Sequence, residues 1–283
     1  ACIEVASGIS DVALAVGVDK RNPVRRAETG IGNLAEDAIV PFTHFALLTN
    51  EYSVRHNASA EDIARVAVKN HRNGAKNPNA QRQQERTLDE VLGGKRVSGS
   101  LTALQCTPIG EGAAAVIVAS EDGIRRLGID AGRAIRTTAS VGRSERVYPP
   151  GAGFDAALTK ETADLALAQA KLAPGDLDIV ELHDAFTVEE LHYIESIGLC
   201  PEGHGVRMLK EGALDIGGQC AINPSGGLIA MGHPIGPTGI GQIGEIVMQL
   251  RGEAGARQHA GARTGLAHMV GVGAVCYVHI LQK

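Results

Sequence analysis

A layered α/β fold is predicted for this chain by two observations. Apolar runs of strand length, such as Asp11-Val-Ala-Leu-Ala-Val-Gly-Val18 and Gly112-Ala-Ala-Ala-Val-Ile-Val-Ala119, alternate with segments of helical periodicity. Near the C-terminal end, Asn223-Pro-Ser-Gly-Gly-Leu-Ile-Ala-Met-Gly-His-Pro-Ile-Gly-Pro-Thr-Gly239 sets one histidine among five glycines. Glycine at that density lets a backbone turn sharply and lets a ligand come close to the main chain. His233 titrates near neutral pH and Pro234 stiffens the chain beside it, so the stretch reads as a histidine presented on a tight loop.

Taken in order, Asp11–Val18 is an almost unbroken apolar run and reads as a strand buried on both faces. From Arg21 to about Ser100 polar residues dominate. Within this region Ala60–Lys69 is a predicted helix, with Ser59 as its cap and Ile63, Val66 and Ala67 on one face. Thr87–Leu92 reads as a second short helix, and Gln81–Arg86 as a solvated face. Gly112–Ala119 reads as a buried strand, Glu121–Leu127 as a helix start and Ala134–Val141 as another strand. Thr159–Leu172 has helical spacing and stops at Pro174-Gly175. Ile179–Leu182 is a short strand running into the His183 loop, Ile240–Leu250 a helix and Ala274–Leu281 a terminal strand. Gly239-Ile-Gly-Gln-Ile-Gly244 matches a dinucleotide-binding string, but no strand precedes it, so it carries no weight.

Composition narrows the function. With 44% hydrophobic and 21% charged residues over 283 positions, the chain is globular with room for an ample core. No apolar run approaches the ~18–20 residues of a membrane span. Ala1-Cys-Ile-Glu has neither the basic start nor the apolar core of a signal peptide. Five cysteines without paired spacing imply reduced thiols in a cytoplasmic setting and no metal site. A net charge of −5, 3% aromatic residues and no tryptophan argue against a nucleic-acid partner.

The Asn223–Gly239 stretch resembles the thiolase signature: an Asn, a Gly-Gly pair, Ala-x-Gly-His-Pro-x-Gly and a final Gly. Two further stretches fall in thiolase order. Glu181-Leu-His-Asp-Ala-Phe186 is similar to the His-Asp-Cys-Phe variant of the family's Asn-Glu-Ala-Phe loop. Gly265-Leu-Ala-His-Met-Val-Gly-Val-Gly273 is similar to its closing glycine loop. The resemblance covers nearly the whole chain and is nearest to sterol-carrier-protein-type thiolases. It implies a five-layer αβαβα fold with two related halves and an inserted loop domain. Residues 1–20 and 103–131 would be a remnant of the N-terminal half, 21–102 the loop domain and 132–283 the C-terminal half. It also implies a homodimer or tetramer. No resident cofactor is implied, since a coenzyme A thioester is the substrate.

By the same resemblance Cys2 is the nucleophile, His233 its activating histidine, and His183 stands where the family's Asn serves an oxyanion hole, with Asp184 fixing its tautomer. Gly271, His268 and Gly232 are the expected substrate-binding positions. A thiolate carries the acyl group, and a nearby imidazole or helix N-terminus lowers its pKa. Oxyanion donors stabilise the tetrahedral intermediate. The helix of about five turns (about 18–20 residues) that follows the family's cysteine is missing, so Cys2 and Ile3 are expected not to be bonded to each other.

Two departures bear on the chemistry. The second thiol of ordinary thiolases is replaced by Met269, and that of the sterol-carrier type by Ala185. His268 is a candidate replacement acid/base, while Tyr148, Tyr193 and Tyr277 carry no distinguishing signal. The leading expectation is thiolysis of a 3-oxoacyl-CoA, or acetyl-CoA condensation, through a cysteine acyl-enzyme. The alternatives are a thiolase-like retro-aldolase on a CoA-linked β-hydroxy substrate with a small OB-fold partner, and a non-catalytic or lipid-binding subunit.

Overall fold

The computed structural model describes residues 1–20, 41–146, 154–271 and 275–283. The strands are β1 (Val12–Asp19), β2 (Arg96–Ser98), β3 (Leu101–Thr102), β4 (Gly112–Ala119), β5 (Arg136–Ser144), β6 (Ile179–Glu181), β7 (Ala221–Ile222), β8 (Thr264–Gly271) and β9 (Val275–Gln282). The helices are α1 (Cys2–Ala6), α2 (Pro41–His56), α3 (Ala60–Gly74), α4 (Leu88–Leu92), α5 (Glu121–Arg126), α6 (Phe154–Ala170), α7 (Thr187–Ile197), α8 (Gly205–Lys210), α9 (Gly227–Ala230) and α10 (Thr238–Arg251).

Local chemistry sets several boundaries. Ser59 accepts the Asp62 N–H at 3.1 Å while Asp62 accepts the Ser59 N–H at 3.1 Å, a reciprocal cap that starts α3. Thr87 and Glu90 do the same for α4, and Ser120 caps α5. Helices α7 and α10 end where Gly198 and Gly252 turn left-handed.

The two apolar runs meet. β1 and β4 pair antiparallel, with Leu14 opposite Ile117 and Val18 opposite Ala113. The larger sheet has the order β5-β9-β8-β6-β7, in which β8, β6 and β7 run parallel and β9 and β5 antiparallel to their neighbours. Helix α10 packs on β4 and β1 from one side and on β8, β6 and β9 from the other. Helix α6 covers β5 and β9 and packs against α7. The order is therefore sheet, helix, sheet, helices, which is a layered α/β architecture.

Two expectations are corrected. β1 and β4 are covered on one face only, because α10 packs on one side. The other side shows Leu14, Val16, Val18 and Ile117, which are 64%, 59%, 69% and 68% exposed. An apolar run therefore did not mark burial on both faces. Cys2 and Ile3 are joined within α1: the Val5 N–H donates to the Ala1 carbonyl across that junction at 3.0 Å.

The helical segment before β2 shares the main core. Ile63, Val66 and Ala67 of α3 are buried with Leu182, Val188, Leu191 and Ile222. Lys69 of the same helix reaches the Ile222 carbonyl at 2.7 Å and Glu190 of α7 at 3.1 Å, so α3 is fastened beneath the ends of β6 and β7.

Candidate active site

Parallel strands deliver their ends to one edge. Glu181 of β6 stands beside Ala267 of β8, and Val180 beside Ile222 of β7, so Leu182-His183, Asn223 and His268 emerge together. In open α/β sheets this carboxyl edge is where ligands bind.

Asn223 knits the edge together at a left-handed φ of 52°. Its side-chain oxygen accepts the Leu182 N–H at 2.7 Å, and its amide donates to Glu190 at 2.8 Å. Asp184 accepts the Leu228 N–H at 2.6 Å and the Asn70 amide at 2.7 Å. Thus Asp184 ties the His183 loop to the signature at α9 and does not touch the His183 ring, contrary to expectation. Gly227 is required there: its φ is +60°, and a β-carbon would lie 2.3 Å from an Asp184 oxygen. Burial, then the neighbouring Glu190, pushes the Asp184 carboxyl well above the usual range.

His183 and His233 come together. Their ring centres are 5.1 Å apart with planes at 89°. His183 Nδ1 lies 3.1 Å from Glu189 Oε1. That carboxylate also accepts the Tyr193 hydroxyl at 3.1 Å and the Phe186 N–H at 2.8 Å. His233 Nδ1 lies 2.9 Å from the Thr238 hydroxyl, which itself donates to the Pro234 carbonyl at 2.5 Å. The single Thr238 proton is therefore used, and His233 must donate Nδ1–H, leaving Nε2 with its lone pair. Burial, then the nearby His183, lowers the His233 pKa to about 4, so the ring is neutral at neutral pH.

His268 has another task than the expected one. It is fully buried, its Nδ1 faces the His183 N–H at 3.5 Å, and its Nε2 lies 2.9 Å from the Thr159 hydroxyl. Both ring nitrogens are engaged by protein, so His268 supports the backbone of His183 and has no nitrogen left for substrate. Burial pushes its pKa down to about 3.

Gly232 precedes His233 at φ +111°, with the Gln81 side chain against it, and thereby sets the loop's turn. Gly271 closes β8 opposite Val275, three residues beyond His268. Gly273 and Tyr148 lie outside the described residues. Ala185 is buried with Leu101, Cys106 and Leu228, and Met269 packs near Gly239.

Cys2 sits in α1, at the opposite end of β1 from the His233 loop. The Glu4 carbonyl accepts the N–H groups of Ile9 and Ser10, which ties α1 to the start of β1. The His233 loop meets the other end of that strand, where Asp19 accepts the Ile235 N–H at 3.1 Å. Eight strand residues separate these ends by about 23 Å. Among the described residues no hydrogen bond or ring contact joins Cys2 to either histidine. Burial raises the Cys106, Cys200 and Cys220 thiols to about 11, 12 and 12, which keeps them protonated. Among the described residues no group of three or more His, Cys, Asp or Glu could hold a metal ion. A cleft of about 1860 Å³ runs along β4, β5 and α10, and Cys2 lines it together with Glu181, Ser225 and Gly232.

Sequence reasoning missed Glu189 and did not single out Tyr193. A signal for Glu189 existed: it lies three residues after Phe186 at the start of α7, where a carboxylate caps a helix.

Residues 154–283 match the family model described as thiolase C-terminal domain-like. The chain is 36% identical to benzoylsuccinyl-CoA thiolase subunit BbsB of Thauera aromatica, over 95% of this chain and 71% of that protein. It is 35% identical to an acetyl-CoA acetyltransferase of Methanothermobacter thermautotrophicus, over 99% of this chain and 74% of that protein. Human sterol carrier protein 2 is 35% identical over 98% of this chain, which spans only 54% of that relative's length. Among solved structures, an Ltp2-ChsH2(DUF35) aldolase superposes with a TM-score of 0.79 at 23% identity, covering 99% of this chain and 74% of that one. Human mitochondrial 3-ketoacyl-CoA thiolase gives 0.71 at 19% identity, covering 100% and 74%. The layers, the joined loops and these relatives agree: the chain has the thiolase fold and belongs to the thiolase family.

Proposed function

We propose that this chain makes or breaks a carbon–carbon bond beside the carbonyl of a coenzyme A thioester. The observation that carries this is the His183–His233 pair, delivered by two loops to the carboxyl edge of the sheet. His233, neutral and with Nε2 unprotonated, takes the proton of the attacking thiol in thiolysis, or of the substrate's β-hydroxyl in retro-aldol cleavage. His183 stands beside His233, and the family resemblance offers the Gly271 backbone N–H for the thioester oxygen. In thiolysis a 3-oxoacyl-CoA would pass its acyl group to a cysteine and then to CoA, and Cys2 is the residue that the family resemblance offers for this step.

A second reading, retro-aldol cleavage of a β-hydroxyacyl-CoA with a small partner protein, is favoured by a separate observation. Cys2 is tied to the far end of β1, and neither Ala185 nor Met269 can exchange a proton. Retro-aldol cleavage needs no acyl-enzyme. The likeness to the Ltp2-ChsH2(DUF35) aldolase adds to this reading only at the level of fold. For assembly we infer a homodimer or dimer of dimers, tested by mass in solution at micromolar concentration.

The deciding experiment offers the protein acetoacetyl-CoA or a longer 3-oxoacyl-CoA with free CoA, and separately a β-hydroxyacyl-CoA. Acyl transfer together with an acyl adduct on Cys2 supports the thiolase route. Cleavage of the β-hydroxy substrate alone supports the aldolase route. If neither is cleaved, the proposal fails in favour of a non-catalytic subunit.

A further inference from the structure

We propose that Glu189 makes His183 the proton acceptor that works at the substrate's α-carbon, in place of the thiols absent at 185 and 269. The inference rests on the C–C reading above and deepens it. The Glu189 carboxylate collects three donors: the Phe186 N–H at 2.8 Å, the Tyr193 hydroxyl at 3.1 Å and His183 Nδ1 at 3.1 Å. A carboxylate only accepts, so a neutral His183 carries its proton on Nδ1 and its lone pair on Nε2. Such a ring has no Nε2–H to give to a thioester oxygen, which is what an oxyanion-hole residue in that place would need. It is instead a base, and the carboxylate behind it stabilises the imidazolium that forms, as a buried Asp does in a serine-protease triad.

The surroundings fix this base in place. His183 is nearly buried, its backbone N–H faces the buried His268, and Tyr193 lies between Glu189 and the His268 ring at 4.7 Å. Glu189 is itself buried, so its charge is little screened by water.

The proton balance closes without another reactant. In condensation, His183 Nε2 removes a proton from the α-carbon of one thioester, and the resulting enolate attacks the acyl carbon of a second thioester. The C–S bond there breaks, its electron pair leaves on the thiolate, and that thiolate takes the proton from the His183 imidazolium; in the aldol direction the new alkoxide takes it instead. In cleavage the attacking thiol, or the β-hydroxyl of an aldol substrate, gives up its proton through His233 to the neighbouring His183. The Cα–Cβ bond then breaks, its electron pair forms the enolate, and the α-carbon takes that proton from the His183 imidazolium. Glu189 takes no proton in either direction, and its role is that of a positioning residue.

The test uses the full chain labelled with 15N-histidine. The His183 signals are assigned by difference from His183→Asn, and one- and two-bond 15N–1H correlations report the neutral tautomer. The wild type is expected to show the Nδ1–H form of His183, and Glu189→Gln a mixture of both forms. Turnover in Glu189→Gln is expected to fall on the order of 10²-fold or more with KM little changed, since a mis-set histidine loses acid–base assistance worth about 10²–10⁴-fold. Tyr193→Phe is expected to keep the Nδ1–H form. An Nε2–H form in the wild type overturns the proposal whether or not Glu189→Gln folds, and so does Glu189→Gln with unchanged tautomer and turnover. If no thioester is turned over, the tautomer result still judges Glu189, and the C–C reading alone fails.

Discussion

His183 and His233 stand edge to face with ring centres 5.1 Å apart, although fifty residues separate them in sequence. Each has its Nδ1 beside an oxygen supplied by the following helix, Glu189 of α7 for one and Thr238 of α10 for the other. The two helices pack on opposite faces of the larger sheet, α10 on one and α7 with α6 on the other, so the pair is held from both sides.

Lys69 anchors this arrangement from below. It is buried, and its ammonium reaches Glu190, Asn70 and the Ile222 carbonyl. Lys69→Met leaves Glu190 as an uncompensated buried charge, so a loss of about 3–5 kcal/mol is expected from urea unfolding. A loss below about 1 kcal/mol, the worth of a surface pair, would place the ion pair in water.

Gly232→Ala forces a side chain onto a backbone at φ +111° and against Gln81. A stability loss of about 1–3 kcal/mol is expected, with a larger proportional loss of turnover because His233 follows directly. An alanine variant of unchanged stability and turnover would show that the loop does not hold this turn.

Glu181 is a buried carboxyl that accepts the Ser225 N–H at 2.9 Å and hydroxyl at 2.7 Å. Burial, then repulsion from Glu245, raises its pKa from 4.5 to about 8. The folded state therefore holds this proton more tightly than the unfolded chain. The resulting stability is complete below pH 4.5 and is lost as pH rises toward 8. Glu181→Gln should remove that decline, which urea titrations between these limits would detect as a flatter profile. Parallel profiles for the two proteins would refute the assignment.

The acid side has the opposite sign. Burial, the largest cause in each case, lowers His71 and His233 to about 4 and His268 to about 3 from 6.5. The unfolded chain then binds more protons. Stability contributed by the neutral rings is complete above pH 6.5 and falls as pH drops toward 4. Because Glu181 acts in the opposite direction over this window, the loss is read as the difference between the wild type and His71→Gln: the variant should lose less stability from pH 7 down to 4, and parallel profiles would contradict the assignment.

Much of the fold was legible because periodicity and caps act locally. Ser59 with Asp62 sets the start of α3, and the apolar runs of β1 and β4 find each other in one sheet. Burial on both faces was not legible, since Leu14 and Ile117 are as apolar as core residues and only α10 decides which face is covered. At the site the glycine signature exposed His233, and the short loop after β6 exposed His183. The partner of His183 was assigned to adjacent Asp184, whereas the carboxylate that turns toward the ring is Glu189, one helical turn further on. Asp184 is consumed by the Leu228 N–H and Asn70, contacts across 44 and 114 residues that no local pattern encodes.

The most direct measurement is turnover of a CoA thioester by the wild type, His233→Ala and His183→Asn, with 3-oxoacyl-CoA plus CoA and β-hydroxyacyl-CoA assayed side by side. The wild type is expected to cleave one of them. Each variant is expected to lose on the order of 10²–10⁴-fold in kcat with little change in KM, the signature of lost proton transfer. Turnover that survives His233→Ala, or a wild type that cleaves neither substrate, would contradict a carbon–carbon bond chemistry run by this histidine pair.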